Sequence, residues 1–231
     1  MQTCTVEYFF HKKLKIFQPE NGYRFSMDPL LLADHVNIVK HERILDIGTG
    51  CGIMPLLLLY KHPEIKITGV EIQENLADIA RKNIKINNMD KRSLILLKDI
   101  KDVTISDINV KADIIIANPP YKKKETGRIN PDIQKAIARH EIKLTLETLI
   151  DSVKRLLAQN GRFYIIYPAE RVAELICSLN NHEINPEMIK FVHTKKENSA
   201  KLVILMGAQN SAQPLKVLSP LFVHKHFLCL T

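Results

Sequence analysis

The chain has 231 residues, 33 Lys plus Arg against 25 Asp plus Glu, a formal net charge of +8, and 45% apolar residues. That length suits one domain with a substantial core, and that apolar content argues against an intrinsically disordered chain. The longest apolar run, residues 54–60, is far too short to cross a bilayer, and Met1 to Glu7 carries no charged-then-apolar leader. A cytoplasmic protein with no membrane contact is expected. Cys4, Cys51, Cys177 and Cys229 are dispersed with no Cys-x-x-Cys pair, which argues against a zinc site or a disulfide framework, so no metal is expected. The positive excess sets up a field that attracts polyanions, of which nucleic acid is the usual one.

Near the N-terminus, Asp28 is a natural helix cap and Pro29 suits a first helical turn, predicting an apolar helix that runs through Val39. Residues 1–42 read as a cover over the ligand edge of a core formed by 43–231, the whole being one domain. Strands are predicted at 43–47, 65–71, 93–98, 113–117 and 162–167, with helices at 53–61 and 75–88. In the second helix Leu76, Ile79, Ala80 and Ile84 share one face. A long amphipathic helix between 131 and 159 carries Ile142, Leu146, Leu149, Ile150, Val153, Leu156 and Leu157, and Gly161 is expected to terminate it. Val172, Leu175, Ile176 and Leu179 mark another helix, and 191–194 with 202–207 a final strand pair joined without a helix. Doubly buried strands alternating with helices imply an α/β, doubly wound, mostly parallel seven-stranded sheet with an antiparallel edge strand. Such sheets bind ligands beyond the carboxyl ends of their strands.

Asp46-Ile47-Gly48-Thr49-Gly50-Cys51-Gly52 falls between a strand and a helix. Glycines there let the backbone turn tightly and approach a ligand closely. The spacing is G-x-G-x-G rather than the G-x-G-x-x-G of dinucleotide sites, and Asp46 brings negative charge where a pyrophosphate would lie. A zwitterionic ligand with an ammonium group suits Asp46 better. Glu71, ending the second strand, can accept hydrogen bonds from both ribose hydroxyls. Asp99, ending the third, can bond an adenine amino group or serve as a loop cap.

Asn118-Pro119-Pro120-Tyr121 follows the fourth strand. Two prolines fix the backbone and remove two N–H donors, leaving the Asn118 side-chain oxygen and the Pro119 carbonyl as rigid acceptors. Two acceptors at fixed angles hold both hydrogens of an –NH2 group. Its lone pair, otherwise delocalised, is then localised and aimed at an electrophile. Tyr121 offers an aromatic face on which a planar group can stack.

Asp46 to Gly52, Glu71, Asp99 and Asn118 to Tyr121, in that order, resemble the class I Rossmann-like amino-methyltransferases, which act on adenine N6, guanine N2 or glutamine amides with S-adenosyl-L-methionine as cofactor. Two flanking stretches narrow the resemblance: residues 18–33, and the tetrapeptide continued by Ile137-Ala138-Arg139-His140-Glu141. Both are similar to the bacterial tRNA valine adenine N6-methyltransferase family, which modifies the adenine 3′ of the anticodon. By that resemblance Asp46, Gly48, Gly50, Gly52, Glu71, Asp99 and Asn118 would hold the cofactor, with Phe25, Ser26 and Asp28 closing over it. Asn118, Pro119, Pro120 and Tyr121 would form the catalytic set, a flipped adenine stacking on Tyr121, and the partner would be tRNA.

Lys122, Lys123, Lys124, Arg128, Lys135 and Arg139 follow the tetrapeptide, only partly offset by Glu125 and Asp132, and form a basic segment at the expected substrate mouth, suited to phosphates. Lys12, Lys13, Lys15, Lys195, Lys196 and Lys201 are candidates to extend it. No general base is required, so His140 is read as structural, and a monomer is expected. The rival acceptors are a glutamine amide on a translation factor, which usually goes with an extra N-terminal helical domain, and another RNA or DNA amine. A dehydrogenase offers no account of residues 118–121, and a catalytically silent RNA-binding module would dispense with them.

Overall fold

The computed structural model describes residues 3–20, 24–120 and 144–223. The chain opens with a hairpin, β1 (Cys4–Phe9) antiparallel to β2 (Leu14–Pro19), followed by the short helix α1 (Asp28–Ala33). The hairpin was not expected, although Leu14 and Ile16, both fully buried, alternate with Lys15 and Phe17 at the strand period. The expected helix through Val39 stops at Ala33. There the N–H of Asp34 returns to the Leu30 carbonyl, and His35 Nδ1 donates to the Leu31 carbonyl at 2.8 Å, so the last turn is closed by side chain and backbone together. Asp28 is the first helical residue rather than the cap: Met27 holds that position, and the Asp28 N–H donates to Ser26 Oγ at 3.2 Å.

Five parallel strands follow: β3 (Arg43–Ile47), β4 (Lys66–Glu71), β5 (Ser93–Leu97), β6 (Ala112–Ala117) and β7 (Leu157–Pro168). Between them lie α2 (Ile53–Lys61), α3 (Glu74–Ile86), the single-turn α4 (Ile105–Ile108) and α5 (Leu146–Leu156). β6 shows why the sheet is covered on both faces. Ile114 and Ile116 pack into a core shared with α2, α3, α1 and the hairpin, while Ile115 and Ala117 face a second core shared with α5. Each of the three isoleucines contributes roughly 1.5–3 kcal/mol on burial, more than the span of strand propensities.

The far side of the sheet differs from expectation. After α6 (Val172–Asn181), β8 (Ile184–His193) and β9 (Leu202–Gln209) form a hairpin, and β9 inserts between β7 and β8, antiparallel to both. The antiparallel strand is therefore internal, because the hairpin folds the chain back into the slot that β8 leaves beside β7. Two short strands, β10 (Lys216–Val217) and β11 (Leu221–Phe222), then pair parallel to β8 and bring the sheet, among the described residues, to nine strands instead of seven. Gly161 does not stop the preceding helix. α5 ends at Leu156, and residues 158–161 bulge out between the pairs Ala112–Leu157 and Ile114–Arg162. Gly161 is needed because a Cβ there would lie 2.7 Å from Leu157 Cδ1 and 2.8 Å from the Ala158 carbonyl oxygen.

Candidate functional site

One side of the sheet runs β6, β3, β4, β5, all parallel, so their carboxyl ends form one edge. Ile47 pairs with both Val70 and Ala117, and Glu71 pairs with Leu97. Gly48, Asn118, Glu71 and Asp99 consequently emerge side by side, although the sequence separates them widely. The chain leaves β3 toward β4 on one side and returns to β6 on the other, which makes the β3–β6 junction the switch point where such sheets take ligands.

The loop after β3 uses its glycines in two ways. Gly48, Gly50 and Gly52 have φ of 74°, 58° and 83°, in the left-handed region that a Cβ disfavours by about 1–2 kcal/mol per residue. A Cβ on Gly48 would meet nothing within 4 Å, so that position borders open space, whereas one on Gly52 would lie 3.2 Å from Ala80 Cβ on α3. The turn is closed by the Gly48 and Thr49 N–H groups, which both donate to the Val70 carbonyl at 2.9 and 3.0 Å. Gly69 in β4 belongs to the same construction and was not expected. Its missing side chain makes room for Thr49 Oγ1, which a Cβ would approach to 2.8 Å. A glycine inside a strand pattern was the available signal.

Glu71 is buried at the end of β4, and its Oε2 accepts the Gly50 N–H at 2.9 Å while Oε1 accepts the Gln73 N–H at 2.8 Å. Each carboxylate oxygen retains a second lone pair, so the group can still accept two hydroxyls. Asp46 lies fully enclosed beneath the loop, and among the described residues the Thr49 hydroxyl is the one hydrogen-bond donor that bears on its carboxyl. Burial pushes its carboxyl up to about 7, the nearby Thr49 hydroxyl pulls the other way, and the Glu71 carboxylate adds to the rise. A buried acceptor short of donors is compensated by positive charge nearby, which suits a ligand ammonium above the loop. Asp46 would act on it as a buried charge under the backbone rather than as an exposed ligand. The positive end of α2, whose cap Gly52 offers no side-chain bond, suits a carboxylate.

Asp99 follows β5 and caps a 3-10 turn, accepting the Lys101 N–H at 3.2 Å and pairing with Lys101 Nζ at 3.3 Å. Asn118 is partly exposed, Pro119 buried and Pro120 exposed, directly after β6. Phe25 packs its ring beside Phe9 of the hairpin at 6.0 Å, Ser26 is exposed, and burial raises the Asp28 carboxyl. Tyr121, Lys122, Lys123, Lys124, Arg128, Arg139 and His140 lie outside the described residues, as does the first part of the long helix.

The other lysines divide between the two edges of the sheet. Lys12 and Lys13 sit on the β1–β2 turn, where Phe10 stacks at 4.5 Å on Tyr60 near the end of α2, at the edge away from the Gly-rich loop. Lys195, Lys196 and Lys201 sit on the β8–β9 turn, at the carboxyl edge. Among the described residues no group of three or more His, Cys, Asp or Glu could hold a metal, and no helix is long and apolar enough to cross a membrane.

This arrangement is that of a Rossmann-like class I methyltransferase. The structure is similar to a crystal structure of a predicted O-methyltransferase from Agrobacterium tumefaciens, with a TM-score of 0.68 at 20% identity over 86% of this chain and 88% of that one. It is also similar to geranyl diphosphate C-methyltransferase from Streptomyces coelicolor A3(2), solved with S-adenosyl-L-homocysteine, with a TM-score of 0.57 at 12% identity over 78% and 74% of the two chains. Residues 27–192 match the methyltransferase small domain model, and the chain belongs to that family. A protein of Porphyromonas gingivalis named tRNA1(Val) (adenine(37)-N6)-methyltransferase is 30% identical over 86% of this chain and 80% of its own length. Others of the same name are 26–33% identical. S-adenosylmethionine is the methyl donor of this class of enzyme.

Proposed function

We propose that this protein methylates the exocyclic N6 amine of an adenine in tRNA, the adenine 37 that its relatives' name specifies. The observation that carries the reading is the register Ile47–Ala117, which sets Asn118-Pro119-Pro120 beside the Gly48–Gly52 loop at the switch point. Asp46, Gly48, Gly50, Gly52, Glu71 and Asp99 would hold S-adenosylmethionine. Glu71 would accept the ribose hydroxyls, Asp99 the adenine amine, and the buried Asp46 would balance the ammonium through the loop. Bound there, the cofactor supplies an activated methyl group and its own leaving group.

The protein's part is positioning. The Asn118 side-chain oxygen and the Pro119 carbonyl accept the two amine hydrogens and turn the nitrogen lone pair out of the ring. Because the bonds strengthen as positive charge grows on nitrogen, they favour the transition state over the ground state. The amine loses its proton to solvent after attack, so no general base is needed. Tyr121 would stack the base, and Lys122, Lys123, Lys124, Arg128 and Arg139 would meet its phosphates. The lysines of the β8–β9 turn lie at the carboxyl edge, where they would add to such a surface, whereas Lys12 and Lys13 lie at the other edge.

The test is methyl transfer from labelled donor into unmodified tRNA and into cell protein, with nuclease digestion and mass identification of the nucleoside. N6-methyladenosine in tRNA is the expected product. Label in protein alone would overturn the reading in favour of a glutamine amide.

A further inference from the structure

Asn83 of α3 is completely buried and commits its whole amide to two other parts of the chain. Its Oδ1 accepts the Phe17 N–H at 2.8 Å, and its Nδ2 donates to the Phe17 carbonyl at 2.7 Å and to the Cys51 carbonyl at 2.8 Å. One helical turn later, Asn87 repeats the grip on β2: Oδ1 accepts the Lys15 N–H at 3.0 Å and Nδ2 donates to the Lys15 carbonyl at 2.8 Å. The two side chains thus pair the edge of β2 as a neighbouring strand would. They differ in the remaining hydrogen. Asn87 returns it to its own helix, at the Asn83 carbonyl, 2.8 Å away. Asn83 sends it into the Gly-rich loop.

The Cys51 carbonyl needs that donor. It sits between Gly50 and Gly52, both left-handed, and the residue four positions ahead is Pro55, which has no N–H to give. The next carbonyl, of Gly52, does find a helical donor in Leu56 at 3.1 Å. A buried carbonyl without a partner is costly, and the peptide would rotate to find one. Rotation of the Cys51–Gly52 peptide would move the loop and the start of α2.

We infer that Asn83 is a positioning residue for the cofactor loop, fixing the Cys51 peptide from a helix that also grips the N-terminal hairpin. This rests on the reading that residues 48–52 hold S-adenosylmethionine. Asn83 touches no reacting group and acts through the loop backbone.

The test compares full-length wild type, Asn83→Ala and Asn87→Ala, titrating each with S-adenosylhomocysteine by calorimetry and following thermal unfolding in parallel. Both variants lose the same grip on β2 and should melt earlier. Asn83→Ala alone should bind S-adenosylhomocysteine roughly ten-fold more weakly, because only it frees the Cys51 carbonyl, while Asn87→Ala should bind within about two-fold of wild type. In turnover, Asn83→Ala should raise the KM for the methyl donor and leave kcat within about two-fold. Equal weakening in both variants, or wild-type affinity in Asn83→Ala, overturns the inference. If Asn83→Ala does not fold, Asn83→Asp keeps the acceptor for the Phe17 N–H and removes the Nδ2 donor to the Phe17 and Cys51 carbonyls, Asn87→Asp makes the matching loss at Lys15, and the same comparison is read from that pair. A wild-type protein that binds no S-adenosylhomocysteine would overturn the reading of the loop, and the inference with it.

Discussion

Glu71 joins two backbones at once, its Oε2 accepting the Gly50 N–H at 2.9 Å and its Oε1 the Gln73 N–H at 2.8 Å. One carboxylate therefore ties the loop after β3 to the start of α3, and both of its oxygens face donors. Glu71→Gln would turn one of those oxygens into an NH2 group facing an N–H. The expected result is a stability loss of about 1–3 kcal/mol and at least about ten-fold weaker cofactor binding. Urea unfolding and calorimetry measure the two, and wild-type affinity in Glu71→Gln would remove Glu71 from the cofactor site.

Asn118→Ala removes one of the two acceptors proposed to hold the amine and leaves the Gly-rich loop intact. Transfer should fall by about two orders of magnitude, the scale of losing one preorganised polar contact at a reacting centre. The dissociation constant for S-adenosylhomocysteine should stay within about three-fold. Single-turnover kinetics with labelled donor decide it, and a variant that retains activity refutes the role given to Asn118.

Gly48 and Gly52 should separate binding from stability. Both have positive φ, so alanine costs either of them about 1–2 kcal/mol. Only at Gly52 does the new methyl also press on Ala80, at 3.2 Å, while at Gly48 it enters open space. Gly52→Ala should be the less stable variant in denaturant, and Gly48→Ala the one whose affinity falls more than its stability. The reverse ranking would place the ligand elsewhere.

Asp46 predicts a pH dependence of the ligand-free protein. Its carboxyl is raised from the ordinary 3.8 to about 7, so the folded state keeps a proton that the unfolded chain has released. The stability this provides is full below about pH 4 and is lost as the pH rises through about 7. Asp46→Asn has no such titration. Its stability relative to wild type should therefore improve from about pH 4 to about pH 7 and level off beyond. Unfolding midpoints of the two proteins across that range test this, and a difference that stays flat would show that Asp46 is compensated in the native state.

Much of the site was legible because its signals are local. The glycines at 48, 50 and 52 are required by backbone dihedrals at those positions. The apolar face of Leu76, Ile79, Ala80 and Ile84 follows from helical spacing alone, and all four are buried. The order of loop, acidic strand end and Asn-Pro-Pro-Tyr is written directly in the chain.

What escaped depends on partners distant in sequence. α1 ends early because His35 reaches back to Leu31 and the chain then extends, and the hydrophobic residues beyond could equally have continued a helix. Nothing near 202–209 states that β9 will sit inside the sheet, since that follows from the space left between β7 and β8.

By itself, then, the sequence determined the parallel core, the glycine-dependent loop and the rigid acceptors at 118–120, since each rests on propensity or covalent geometry within a few residues. Only the tertiary structure decided that Asp46 is sealed beneath the loop, that Gly69 makes room for Thr49, and that Asn83 holds Phe17 and Cys51 from 66 and 32 residues away. Those are contacts through space, and burial gives them their strength by removing the water that would otherwise compete for the same polar groups.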